Sequence, residues 1–134
     1  MGCDEVIVLD THIFYWYLTD DDRLDKALLR IIRDPANTLA ISAVTLWELL
    51  LLDQKGRIGI GGNDKGAELR RLMGLANVRE VSLNGEMAVL SRTLAFQHED
   101  PADRFIAATA YALGATLATQ DEHMRQLPWI TLTV

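Results

Sequence analysis

Val6-Ile7-Val8-Leu9, followed directly by Asp10, is the stretch on which the fold turns. Four apolar residues without polar alternation read as a strand buried on both faces, as in a parallel sheet covered by helices. Similar short runs recur at Leu39-Ala40-Ile41, around Val78 to Leu83, at Thr116-Leu117-Ala118 and from Ile130 to Val134. Helical stretches separate them. Leu24, Ala27, Leu28, Ile31 and Ile32 fall at helical spacing, capped by the acidic cluster Asp20-Asp21-Asp22 and ending before Pro35. Ser42 is the expected N-cap of a helix from Ala43 to about Lys55, stopped by Gly56. Further helices are expected from Asp64 to Ala76, from a cap at Asn84 to about Gln97, and from Asp100-Pro101 to Gly114. Ile13 to Leu18 is aromatic-rich and compatible with helix or strand. Arg57 to Lys65 holds three of the nine glycines and reads as a flexible loop. Strands alternating with helices imply a three-layer α/β/α domain around a central parallel sheet of about five strands.

At 134 residues the chain is expected to form a single domain over 1–134, long enough for one core. A hydrophobic fraction of 49% with 24% charged residues excludes disorder as the main state. The single cysteine, Cys3, cannot form an internal disulfide, which fits a reducing, cytoplasmic setting. No secretory signal pattern opens the chain, and Val6 stands where myristoylation requires Ser or Thr. The weakly polar stretch from Phe105 to Thr119 is too short to span a bilayer, so no membrane role is expected. Thirteen Lys and Arg against 19 Asp and Glu give a net charge of −6. That balance argues against a duplex binder working by phosphate neutralisation, but not against an enzyme meeting nucleic acid through metal ions.

Four carboxylates occupy costly positions. Asp10 is the only formal charge between Glu5 and Asp20, directly after the first strand, and Glu48 is the only one between Asp34 and Asp53, inside an apolar helix. An unpaired buried carboxylate is expensive and tends to protonate, so something must compensate Glu48. Asp103 lies one turn into a helix and Asp121 follows the fourth strand. In an open parallel sheet, strand C-termini and the following helix N-termini share the edge where ligands bind, and all four acids map there. Two carboxylates 4 Å apart repel by about 4 kcal/mol at an effective dielectric near 20. A hard dication removes that cost, and all-oxygen ligands favour Mg²⁺ or Mn²⁺ over zinc. Taken singly, Asp10, Asp100, Asp103 and Asp121 are each compatible with helix capping or a helix-dipole contact, and Glu48 with an ion pair.

Leu9-Asp10-Thr11-His12, Ser42 through Glu48, His98-Glu99-Asp100-Pro101-Ala102-Asp103-Arg104 and Thr119-Gln120-Asp121, in that order, resemble the PIN-domain ribonucleases. The resemblance is nearest to the VapC toxins of toxin–antitoxin pairs and runs from Val6 to about Val134. It implies a Mg²⁺- or Mn²⁺-dependent endoribonuclease whose catalytic and metal-holding acids are Asp10, Glu48, Asp103 and Asp121. Thr11, Ser42 and Thr119 would be supporting hydroxyls, with Asp100 alongside. Arg104 would hold neighbouring carboxylates or backbone in place. A homodimer silenced by a cognate antitoxin is implied as well. Two departures stand out: Ala102 where the motif often carries an aromatic residue, and Leu52 where many relatives carry a basic one.

Other features are open at this level. Arg23, Lys26, Arg30 and Arg33 form a helical-period stripe suited to a phosphate backbone or simply to solvent, as are Arg70 and Arg71. Phe14-Tyr15-Trp16-Tyr17 and Trp47 are candidates for base stacking, an antitoxin contact, or core and dimer packing. His12, His98 and His123 do not form a set. A haloacid-dehalogenase-type phosphatase needs a second Asp two positions after the first, where this chain has His12. A receiver-like phospho-acceptor leaves Glu48 unexplained. The remaining alternatives to a toxin nuclease are a housekeeping PIN nuclease and a catalytically silent PIN scaffold that binds RNA or a partner.

Overall fold

The computed structural model describes residues 5–97 and 100–134. Cys3, Met1-Gly2 and the His98-Glu99 pair lie outside the described residues. Eleven elements follow in order: β1 (Val6–Leu9), α1 (Thr11–Thr19), α2 (Lys26–Arg33), β2 (Thr38–Ser42), α3 (Ala43–Gln54), α4 (Lys65–Ala76), β3 (Val78–Val81), α5 (Gly85–Thr93), α6 (Pro101–Leu113), β4 (Thr116–Ala118) and α7 (Glu122–Arg125). All ladders are parallel, and the strand order is β3-β2-β1-β4. β1 is therefore central, with Val8 opposite Ala40 on one side and Leu117 on the other.

From Ile7 to Leu9 the apolar run of β1 is buried on both faces, as expected, whereas Val6 at its start is exposed. Ile7 and Leu9 enter a core with Ile13, Phe14, Leu28, Ile41 and Leu49, under α1 to α4. Val8 points the other way, into a core with Ile106, Ala110, Leu117 and Met124 under α6 and α7. Burying each such aliphatic side chain contributes about 1.5–3 kcal/mol, so the three-layer arrangement follows from the pattern.

Several sequence expectations need adjustment. Among the described residues Ile130 to Val134 forms no full fifth strand: it pairs with β4 in one isolated parallel bridge, Leu132 to Leu117, beside a Thr133–Thr116 hydroxyl contact at 2.9 Å. Leu117 N–H donates to Thr131 O and Thr133 N–H to Leu117 O, after which the ladder stops. The ambiguous aromatic segment is helix α1, because Asp10 caps it through Ile13 N–H. Asp25, rather than the Asp20–Asp22 cluster, caps α2, so Leu24 precedes the helix. The stripe is shortened accordingly, since Arg23 also lies before α2. α5 ends at Thr93 rather than near Gln97, and β3 at Val81.

The glycine-rich loop is anchored rather than loose. Ile60 is buried, its N–H donates to Asp53 Oδ1, and Lys65 pairs with Asp53 Oδ2 at 2.6 Å. Arg70 and Arg71 are occupied by Glu80 and Glu68. Among the described residues no helix is long and apolar enough to cross a membrane.

Candidate active site

The C-terminal edge of the sheet gathers the acids. Asp10 follows the last residue of β1, and its own N–H donates to Ala118 O at the end of β4 (3.1 Å). The residue is buried, 6% exposed. Oδ1 accepts from Ile13 N–H at 2.8 Å, and Oδ2 accepts from the Thr119 hydroxyl. The same Thr119 oxygen accepts from Asp121 N–H at 3.1 Å, so one hydroxyl braces both strand-end acids. Asp121 caps α7 by accepting from His123 and Met124 N–H, with the His123 ring 3.6 Å away. Its charge nonetheless reaches both Asp10 and Asp103.

Glu48 lies half-buried on α3. The Thr11 hydroxyl, at the start of α1, donates to Glu48 Oε1 at 2.5 Å, and fully buried Thr45 places Oγ1 3.4 Å from that hydroxyl. Thr45 escaped the sequence reading because a hydroxyl inside an apolar helix looks like filler. Its position three residues before Glu48, on the same helix face, was the available signal. Asp100 caps α6 by accepting from Ala102 and Asp103 N–H. Asp103 lies in the first turn of α6.

The acids feel burial first and one another's charge second. Burial pushes the Asp10 carboxyl up to about 6, against the lowering effects of Thr119, Ile13 N–H and His12. Asp103 is pushed up to about 8, first by burial and then by the charges of Asp100, Asp121, Glu48 and Asp10. Glu48 is raised by burial, opposed by Thr11 and reinforced by Asp100. Asp100 is thus both the helix cap and a member of the cluster. Two supporting residues serve the frame instead. Ser42 accepts from Val44 N–H to cap α3. Buried Arg104 donates to Ser91 O and Phe96 O and lies over the Phe96 ring, holding backbone rather than chemistry.

The donor set suits a hard cation. Every candidate ligand is a carboxylate oxygen, and burial and mutual repulsion together hold Asp10, Glu48 and Asp103 above the ordinary carboxylate range. Among the described residues no group of three or more acidic, His or Cys side chains is drawn together closely enough to hold a metal ion by itself.

Comparison with known proteins places this geometry in a family. The family model "PIN domain" matches residues 7–130. The chain is 34% identical over 121 residues to ribonuclease VapC22 of Mycobacterium tuberculosis (strain ATCC 25618 / H37Rv), covering 89% of each. Its fold matches VapBC-1 from nontypeable Haemophilus influenzae with a TM-score of 0.66, at 21% identity over 95% of this chain and 96% of that one. It matches VapBC2 from Rickettsia felis, solved with a fragment of promoter DNA, with a TM-score of 0.65, at 21% identity and the same coverage. The acids at the strand ends, the parallel sheet that gathers them and the match across nearly the whole chain agree: this chain belongs to the PIN-domain family.

Proposed function

We propose that this chain is an endoribonuclease that depends on Mg²⁺ or Mn²⁺ and acts as the toxin of a toxin–antitoxin pair. It works as a single nuclease domain in the cytoplasm, pairs as a homodimer, and is held silent by a cognate antitoxin. The observation carrying this reading is the gathering of Asp10, Glu48, Asp100 and Asp121 around Asp103, whose carboxyl is pushed up to about 8 by burial first and by those charges next. The similarity to ribonuclease VapC22 and to two VapBC complexes supports the same reaction and partner.

Asp10 and Asp103 would be the principal metal ligands, with Glu48 completing or buffering the shell and Asp121 binding a second ion or orienting water. A bound dication would cancel the repulsion among these carboxylates and supply Lewis-acid chemistry, polarising a phosphodiester and lowering the pKa of a water. The protein's own contribution is positional. Thr119 fixes the Asp10 carboxylate through Oδ2 while the α1 cap fixes Oδ1, and Thr11 fixes Glu48. Arg104 ties α6, which carries Asp103, to the backbone of Ser91 and Phe96.

The test is cleavage of single-stranded RNA by the purified protein. Strand scission should stop in EDTA, return with Mn²⁺ or Mg²⁺, and be absent in Asp103→Asn. Scission undiminished by exhaustive chelation overturns the reading.

A further inference from the structure

Beside the acids lies a cleft of about 230 Å³ lined by Asp10, His12, Ile13, Trp16, Gln120 and Asp121. Of the four consecutive aromatic residues in α1, Phe14 is fully buried, whereas Trp16 opens onto this cleft. We infer that Trp16 and His12 form a stacking subsite for one unpaired nucleobase of an RNA strand whose phosphate lies at the acidic cluster. This inference rests on the nuclease reading and deepens it.

Three observations carry the assignment. First, ring and guanidinium groups adjoin: the His12 and Trp16 rings lie 5.7 Å apart between centroids, tilted by 49°, and the Arg23 guanidinium sits over the Trp16 ring, 5.3 Å from its centroid. Aromatic and guanidinium planes are what splayed-out bases stack on.

Second, the rim is preorganised from distant parts of the chain. Asp21 grips Arg23 through two bonds, Nε to Oδ1 at 3.1 Å and Nη2 to Oδ2 at 2.8 Å. Gln120 then clamps that loop from the β4 side, accepting from Asp25 N–H at 2.8 Å and donating to Arg23 O at 3.1 Å. Trp16 therefore keeps its position without a ligand, which lowers the ordering cost of binding.

Third, charge does not supply the grip. The chain carries −6 overall, the cleft shares Asp10 and Asp121 with the acidic cluster, and Arg23 is engaged by Asp21. Apart from the one phosphate that a bound dication would engage, a polyanion on such a surface gains from an attraction that does not act on its phosphates. Stacking provides one, tolerates any base, and is unavailable to a duplex whose bases already stack on one another.

The experiment uses a fluorescein-labelled 12-nucleotide single-stranded RNA of mixed sequence and the same sequence as a duplex. Binding is followed by anisotropy in Ca²⁺, and cleavage separately in Mn²⁺. Trp16→Ala should weaken single-strand binding about tenfold, and His12→Ala about threefold, with duplex binding unchanged. Trp16→Phe keeps a stacking face and should retain most of the affinity. His12 is exposed, so its variant keeps the question answerable if Trp16→Ala does not fold. Unchanged single-strand affinity in folded Trp16→Ala or His12→Ala, with wild-type cleavage intact, overturns the subsite and leaves the nuclease standing. Equal losses on single strand and duplex also overturn it. A wild-type protein that neither binds nor cuts the single strand overturns both readings.

Discussion

The Thr119 hydroxyl donates to Asp10 Oδ2 across a sequence separation of 109 residues, joining the end of β4 to the end of β1. Without that donor, a buried carboxylate oxygen loses its partner, which costs about 1–3 kcal/mol. Thr119→Val should therefore destabilise the protein by that amount at pH 8, where Asp10 is ionised, and by less at pH 5. Thr119→Ser should recover most of the loss. Urea unfolding at both pH values measures it, and equal penalties at the two would count against the bond's importance.

Stability of the metal-free protein should fall as pH rises. Asp10 and Asp103 have folded values of about 6 and about 8 against an ordinary 3.8, so the folded state binds more protons than the unfolded one between those limits. Their favourable contribution is complete below pH 3.8 and is lost progressively as pH climbs through about 6 and then about 8. Thermal melts from pH 5 to pH 8.5 should show Tm declining. Added Mn²⁺ should restore it most at the alkaline end. A flat profile would contradict the clustering.

Asp10→Asn should separate activity from stability. Asparagine can still accept from Ile13 N–H and cap α1, while the buried charge disappears. Cleavage should drop at least about a hundredfold. At pH 8 the variant should equal or exceed the wild type in stability, by up to roughly 2–3 kcal/mol. Paired turnover and denaturation measurements check both halves.

Arg104→Ala should show the opposite pattern. It removes two donors to buried backbone carbonyls and the cation over Phe96, a loss of about 3 kcal/mol or more. Thermal or urea unfolding measures that loss, and a stability close to wild type would count against the role of these two bonds.

Much of this was legible before any coordinates. Asp10 and Glu48 stood out because a charge inside an apolar stretch is costly, and the parallel pattern already placed strand ends on one edge. The fifth strand was misread because Ile130 to Val134 has strand composition, whereas pairing is a property of partners, and only Leu117 offers its backbone there. The basic stripe loses its first member for a similar reason: Arg23 precedes α2 and turns to Trp16 and Asp21 instead. Spacing cannot say which acid begins a helix. Asp25, and not its three acidic predecessors, does so because its carboxylate meets Leu28 N–H. Thr45 and Gln120 were invisible because each acts through a neighbour, Thr11 and the Arg23–Asp25 loop respectively.

Thr119 touches both strand-end acids at once, its hydroxyl donating to Asp10 Oδ2 and accepting from Asp121 N–H. The two positions therefore cannot be tuned separately: a substitution that shifts the end of β4 displaces both acids together, and a single small side chain sets the spacing between them.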